Sequence, residues 1–194
     1  KEDRDIVLVA VSKSADSLEH AAPSCQNDRN IVLVAVGKSG AALQFAAPAC
    51  RRDRDVVLVA VSQDGDALQY ADECCQDDPS LVLAAVWQDA YALKHASESC
   101  KNDGDIVLAA VSKNGEALQY AAEACRKERE IVLAAVEQSP WALFYAADEL
   151  VEDPTFAPDA KRTEDCFLLK IYMLSGQSCC LFAEGGEIAI DITV

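Results

Sequence analysis

Residues 78–86 read DPSLVLAAV. The apolar run from Leu81 to Val86 does not by itself separate a buried strand from a buried helix. The Asp-Pro that opens the stretch does better. Aspartate followed by proline is the order of a helix N-cap and first helical position, where proline's missing N–H costs nothing. The same hexamer returns as IVLVAV at 6–11 and 31–36, VVLVAV at 56–61 and IVLAAV at 106–111 and 131–136, each copy 25 residues after the last. Asp3, Asp28, Asp53, Asp103 and Glu128 stand where Asp78 does.

A fixed period without slippage is the mark of a stacked array whose units bury their apolar faces only against neighbours. A second capping column follows the hexamers: Ser14, Ser39, Asp64, Asp89, Asn114 and Ser139, the last with Pro140 after it. Then come Leu18, Leu43, Leu68, Leu93, Leu118 and Leu143, and three residues later Ala21, Ala46, Ala71, Ala96, Ala121 and Ala146. Residues three apart share one helical face. A β/α solenoid of the leucine-rich kind has a similar period. The Asp-Pro start, the alanines in the later hexamers and the lack of an Asn or Cys ladder after them favour helix.

The expected fold is therefore mainly α: an α-solenoid of six 25-residue helical hairpin repeats over 1–150, with a small C-terminal β segment. In each hairpin a helix near 4–13 leads through a turn to a second near 15–21. Columns 22–25 form a separate turn, where Pro23 and Pro48 would kink a continuing helix. A seventh copy starts at Asp153-Pro154 and is stopped by Pro158, so 151–165 reads as a capping turn and linker. Composition then changes, and 166–194 suggests strands at 167–173, 178–183 and 187–193 around Ser-Gly and Gly-Gly turns.

The columns of residues 103–121, DGDIVLAAVSKNGEALQYA, resemble a family of tandem helical repeats known only as a domain of unknown function, common in protist and algal proteins. The resemblance covers about 1–150 and departs where Cys25 and its equivalents replace a more usual leucine. It implies an architecture and a eukaryotic microbial source rather than a reaction. Residues 167–183 resemble the first hairpin of ubiquitin-like folds, whose helix and later strands do not follow before Val194.

The 194 residues carry 33 acids against 17 lysines and arginines, a net charge of −16. That balance repels phosphate backbones and anionic lipid, so nucleic acid is not an expected partner. No apolar run approaches the roughly 18 residues needed to enter and cross a bilayer. The basic runs Arg51-Arg52-Asp53-Arg54 and Arg126–Arg129 read as solvated loop charge. No signal or transit segment is visible at Lys1.

Nine cysteines raise the question of a metal or redox ladder, five of them in register at Cys25, Cys50, Cys75, Cys100 and Cys125. Stacked helices lie about 8–10 Å apart, whereas a disulfide needs Cα atoms within about 7 Å, so no disulfides are expected between repeats. Zinc-type Cys-x-x-Cys pairs are lacking, and the column reads as small core packing. Free thiols suit a soluble reducing compartment, cytoplasm or organelle stroma. His20 and His95 fall in the column otherwise held by Phe45, Tyr70, Tyr120 and Tyr145, and read as packing residues. No catalytic, cofactor or metal residues are assigned, and no enzyme is expected.

What remains is where the copies differ. Trp87, Tyr91, Trp141 and Phe144 replace mainly polar residues beside the turn between the two helices. Aromatics exposed on a polar solenoid are the usual anchors of protein interfaces. These four are the candidate partner-binding residues, although Trp141 and Phe144 also suit docking of the C-terminal strands. The expected function is a non-enzymatic protein–protein interaction scaffold, an accessory or peripheral subunit of a larger assembly. The family resemblance adds an organellar or photosynthetic complex of an alga as its setting. The alternatives are a regulatory adaptor recruiting a partner through a ubiquitin-like C-terminal piece, and an enzyme of unknown class.

Overall fold

The computed structural model describes residues 3–151 and, as backbone, 180–184 and 187–191. Long α-helices begin directly after the acids singled out above: Arg4–Lys13, Arg29–Lys38, Arg54–Gln63, Pro79–Gln88, Gly104–Lys113 and Arg129–Gln138. The carboxylates of Asp3, Asp28, Asp53, Asp78 and Asp103 each accept from two N–H groups of the first turn. Those donors have no partner inside the helix, which is why an acid recurs there.

The second element is not the α-helix that the leucine and alanine columns suggested. It is a 3-10 helix, over Ala15–Leu18, Gly40–Phe45, Gly65–Tyr70, Ala90–His95, Gly115–Tyr120 and Pro140–Tyr145. A spacing of three fits its three residues per turn as well as it fits an α-helix. A third piece follows, a short α-helix over Pro23–Gln26, Pro48–Arg51, Glu73–Gln76, Glu98–Lys101, Glu123–Lys127 and Asp148–Val151. Pro23 and Pro48 open this helix, so the separate turn expected at columns 22–25 is one turn of α-helix. The repeat is thus three helical pieces rather than a hairpin. We number the repeats 1 to 6 from the capping acids Asp3, Asp28, Asp53, Asp78, Asp103 and Glu128.

A tertiary bond explains the extra break. The N–H groups of Ala47, Asp72, Ser97, Ala122 and Ala147 donate to the carbonyls of Gln26, Arg51, Gln76, Lys101 and Arg126, at 2.9–3.0 Å. Each bond ties the start of one short helix to the end of the previous repeat's, so the 3-10 helix must stop before it. The long helices pack on those of the adjacent repeats, and so do the 3-10 helices.

The leucine column is the centre of every joint: Leu18, Leu43, Leu68, Leu93, Leu118 and Leu143 are all 0% exposed. Each such burial contributes about 1.5–3 kcal/mol. The five in-register cysteines lie in the same core, with partly buried Leu150 in their place in repeat 6. At some joints the neighbours approach closely enough to exclude a side chain, although Ala15 and Ala90 stand at the same position in repeats 1 and 4. A Cβ on Gly40 or Gly115 would fall on the carbonyl of Ala60 or Ala135 in the next repeat.

Beyond the repeats, Cys180–Glu184 and Glu187–Asp191 pair antiparallel, with Phe182 opposite Ala189. The strand expected at 167–173, most of the 151–165 linker and most of the ubiquitin-like hairpin at 167–183 lie outside the described residues. Among the described residues no helix is long and apolar enough to cross a membrane.

Candidate interaction surface

Trp87 ends the long helix of repeat 4 at a position that faces outward in every repeat, where Ser12, Gly37, Ser62, Ser112 and Glu137 are also exposed. Its side chain is the most exposed large apolar group described, at 71%. The backbone beneath it is held firmly. Lys113 of repeat 5 donates from Nζ to the carbonyl of Trp87 and, at 3.0 Å, to that of Gln88. An ammonium on the last carbonyls of a helix satisfies unpaired acceptors and meets the negative end of the dipole.

Tyr91 behaves differently from Trp87. It was expected to stand uncovered, but it is half-buried because repeat 5 covers it. Its ring meets Tyr120 edge-on at 6.0 Å and 89°, and its hydroxyl donates to Glu116 Oε2 at 3.3 Å. Trp141 and Phe144 are three apart in a 3-10 helix, so they eclipse. Their rings stack at 5.7 Å and 13°, with Trp141 39% exposed.

Two charged arrangements at the joints were not visible in the sequence. Arg4, Arg29 and Arg54 each donate from Nε to the capping aspartate of the next repeat, Asp28, Asp53 and Asp78, at 2.7, 2.8 and 3.0 Å. Arg29 also reaches Asp55 at 2.6 Å. Arg54, read from the sequence as solvated loop charge, is thus a rung of a ladder. Burial resists ionisation of these three aspartates, but the arginine and the helix N–H groups outweigh it, and each is held below the ordinary carboxylate value.

The second arrangement joins repeats 3 and 4. Lys94 Nζ lies 3.0 Å from Asp66 Oδ1, and His95 Nε2 lies 3.4 Å from the same oxygen. Burial and then the charge of Lys94 push the imidazole below its ordinary value, against the pull of Asp66. The packing position expected for His95 holds, and its acidic neighbour is the addition. The signal is an acid 28 or 29 residues before the Lys-His pair, readable only once the second element is known to be a 3-10 helix.

Burial pushes the Cys50, Cys100 and Cys125 thiols up. Burial and neighbouring Cys74 push Cys75 up to about 12. These thiols stay protonated at neutral pH, and a thiol is a poor nucleophile and metal ligand. Among the described residues no three His, Cys, Asp or Glu side chains gather as a metal ion needs. The Arg126 and Arg51 sides of two joints carry open clefts, one lined by Glu123, Lys127, Phe144 and Glu149, the other by Pro48, Asp72 and Glu73.

Chain segments 3–51, 28–76, 53–101, 78–126 and 103–151 each match one family, described as Domain of unknown function (DUF4116). Every match spans two successive repeats, the unit that contains one complete joint. No curated protein and no solved structure matches the chain. With 3–151 matched in overlapping pairs, the chain belongs to the DUF4116 family of tandem repeats.

Proposed function

We propose that this chain is a non-enzymatic protein–protein interaction scaffold, an accessory or peripheral subunit of a larger assembly. Residues 1–150 are its interaction unit, 151–165 its cap and linker, and 166–194 a small β segment. The observation that carries the reading is Trp87, whose side chain is 71% exposed in the middle of the stack while its backbone is anchored. A rigid aromatic on a fixed helix end loses little freedom on binding, and tryptophan is the residue most enriched at interface hot spots. Trp141, with half-buried Phe144 stacked on it, forms a second apolar spot in repeat 6.

The buried thiols, held protonated at neutral pH, support the non-enzymatic half of the reading. The test is native-gel and size-exclusion fractionation of extract from cells expressing the chain, with Trp87→Ser beside the unchanged protein. The unchanged chain should run in a large particle. The variant should shift toward free monomer with its helical circular dichroism intact. A chain that runs as free monomer in both cases rejects the scaffold, and a particle indifferent to Trp87→Ser rejects this anchor. The organellar setting is read from which cell fraction carries the particle.

A further inference from the structure

The outer face of the long helices changes character between repeats 3 and 4, while the core beneath it does not. Three substitutions coincide there. Positions 9, 34 and 59 are valine, and the equivalent 84, 109 and 134 are alanine. Ser62 gives way to Trp87, and Arg54 to Pro79. The leucine column stays 0% exposed throughout, so none of the three answers a need of the core.

The joint between repeats 4 and 5 brings these changes together. A Cβ on Gly37 would lie 3.9 Å from Cγ1 of Val59 in the next repeat. The same step from Trp87 leads to Ala109. Alanine lacks the two γ-methyl groups of valine, so a dent stands beside the exposed indole. Asp105 precedes Ala109 by four residues, which puts both on one face of the helix with Cβ atoms about 5–6 Å apart. Its equivalent Asp55 is held by Arg29 at 2.6 Å. In Arg29's place Asp105 has Pro79, so no arginine of the previous repeat reaches it, and it is exposed. Repeat 4 thus supplies an indole at one end of its long helix and withholds a cation at the other.

We propose that Trp87, Ala109 and Asp105 form a docking site for a basic amphipathic helix of a partner protein. An apolar side chain of that helix fills the dent against the indole, and a lysine or arginine one turn along it pairs with Asp105. An apolar and a basic residue at i and i+4 match that spacing. The proposal rests on the reading of Trp87 as a partner anchor, and adds the chemistry of what it anchors. Charge decides the sign. The capping position and the two after it hold five acids in repeats 1–3 and five in repeats 4–6, against three arginines in the first half and one in the second. Lys113, a cation at the other end of repeat 5's long helix, is already engaged on the carbonyls of Trp87 and Gln88.

A short amphipathic peptide of leucine and lysine, labelled for fluorescence anisotropy, tests this on the 194-residue chain. It should bind, and added salt should weaken it. The same peptide with glutamate for lysine should not bind. Trp87→Ser should weaken binding about 30-fold, as loss of an interface hot spot does. Ala109→Val should weaken it about 10-fold by overfilling the dent. Valine stands there in repeats 2 and 3, so helical circular dichroism should not change. Asp105→Asn should cost about 2–5-fold, the range of an exposed ion pair. Glu73→Gln, an exposed acid on another element, should cost nothing. With Trp141→Phe leaving Trp87 as the sole tryptophan, acrylamide should quench the free chain strongly and the complex weakly.

An indole already shielded in the free chain overturns the proposal, because a segment of the chain or a second copy then covers the site. Failure of the lysine peptide to bind overturns it, as does binding indifferent to Ala109→Val and Asp105→Asn or matched by the glutamate peptide. The native particle separates this proposal from the scaffold reading. A particle lost with Trp87→Ser but kept with both Ala109→Val and Asp105→Asn retains the anchor and rejects the basic helix.

Discussion

The first three joints of the stack are rimmed by arginine–aspartate pairs, and the last two by rings and lysines. Arg4, Arg29 and Arg54 supply the first rim. Pro79 and Gly104 stand at the next two cation positions, and there the rim changes. Between repeats 4 and 5 it becomes Tyr91 on Tyr120 and Lys113 on the carbonyls of Trp87 and Gln88. Between repeats 5 and 6, Lys127 bridges Glu123 at 2.8 Å and Glu149 at 3.1 Å. The leucine column beneath is equally buried in both halves. Exposed ion pairs contribute about 0–1 kcal/mol each, so the rim is free to vary where the core is not. The one strongly exposed tryptophan lies where the rim changes kind.

The sharpest way to break this picture is in the core. Leu43→Ala and Leu93→Ala lie one in each half, and both side chains are 0% exposed. Each should lower unfolding free energy by about 2–5 kcal/mol in urea denaturation, the cost of lost burial plus a cavity. The two losses should agree despite the different rims. A much milder Leu93→Ala would mean that rings and lysines share the work of the core in the second half.

Asp53→Ala removes a cap and a ladder rung together, and should cost about 1–2 kcal/mol. Its pH dependence has a fixed sign. A carboxylate whose folded-state value lies below its ordinary 3.8 stabilises the fold fully above that value, and the contribution is lost as pH falls through the folded value. The gap in melting temperature between the unchanged chain and Asp53→Ala should therefore be full at pH 7 and begin to shrink only once pH falls below 3.8. A gap of constant width would show that the ladder is not the source. His95 adds loss at milder acidity. An imidazole held below its ordinary 6.5 favours the fold when neutral, so the joint between repeats 3 and 4 should weaken as pH drops below that value.

The long helices were legible because their cause is local: an acid at the cap, proline at the first position and an apolar run after it. The capping column at Ser14 and its equivalents was also legible, since it marks where the backbone turns extended. The 3-10 character of the second element was not, whereas columns 22–25 were readable as a separate turn after the break that Pro23 and Pro48 mark. The 3-10 helix ends at bonds such as Ala47 N–H to the Gln26 carbonyl, made between repeats by groups that every residue carries. Side chains name no such bond. For the same reason Trp87 and Tyr91 looked alike in the sequence. Four residues apart, they flank the break between the two elements, and the joint covers one and leaves the other in solvent.

The smallest expected effect separates those two residues. Tyr91→Phe removes the hydroxyl bond to Glu116, 3.3 Å long and partly in solvent, and keeps the ring on Tyr120. A neutral donor to a charged acceptor is worth up to about 1.5–3 kcal/mol when short and buried. At this length and exposure we expect roughly 0.5 kcal/mol, at the low end of ordinary hydrogen bonds, seen as a slight fall in melting temperature. Partner binding should not change, because the hydroxyl is turned toward repeat 5 rather than outward. If Tyr91→Phe weakened binding as much as Trp87→Ser, the partner would have to compete with Glu116 for that hydroxyl. The interface would then reach across the joint between repeats 4 and 5, with the rim of that joint as part of the binding surface.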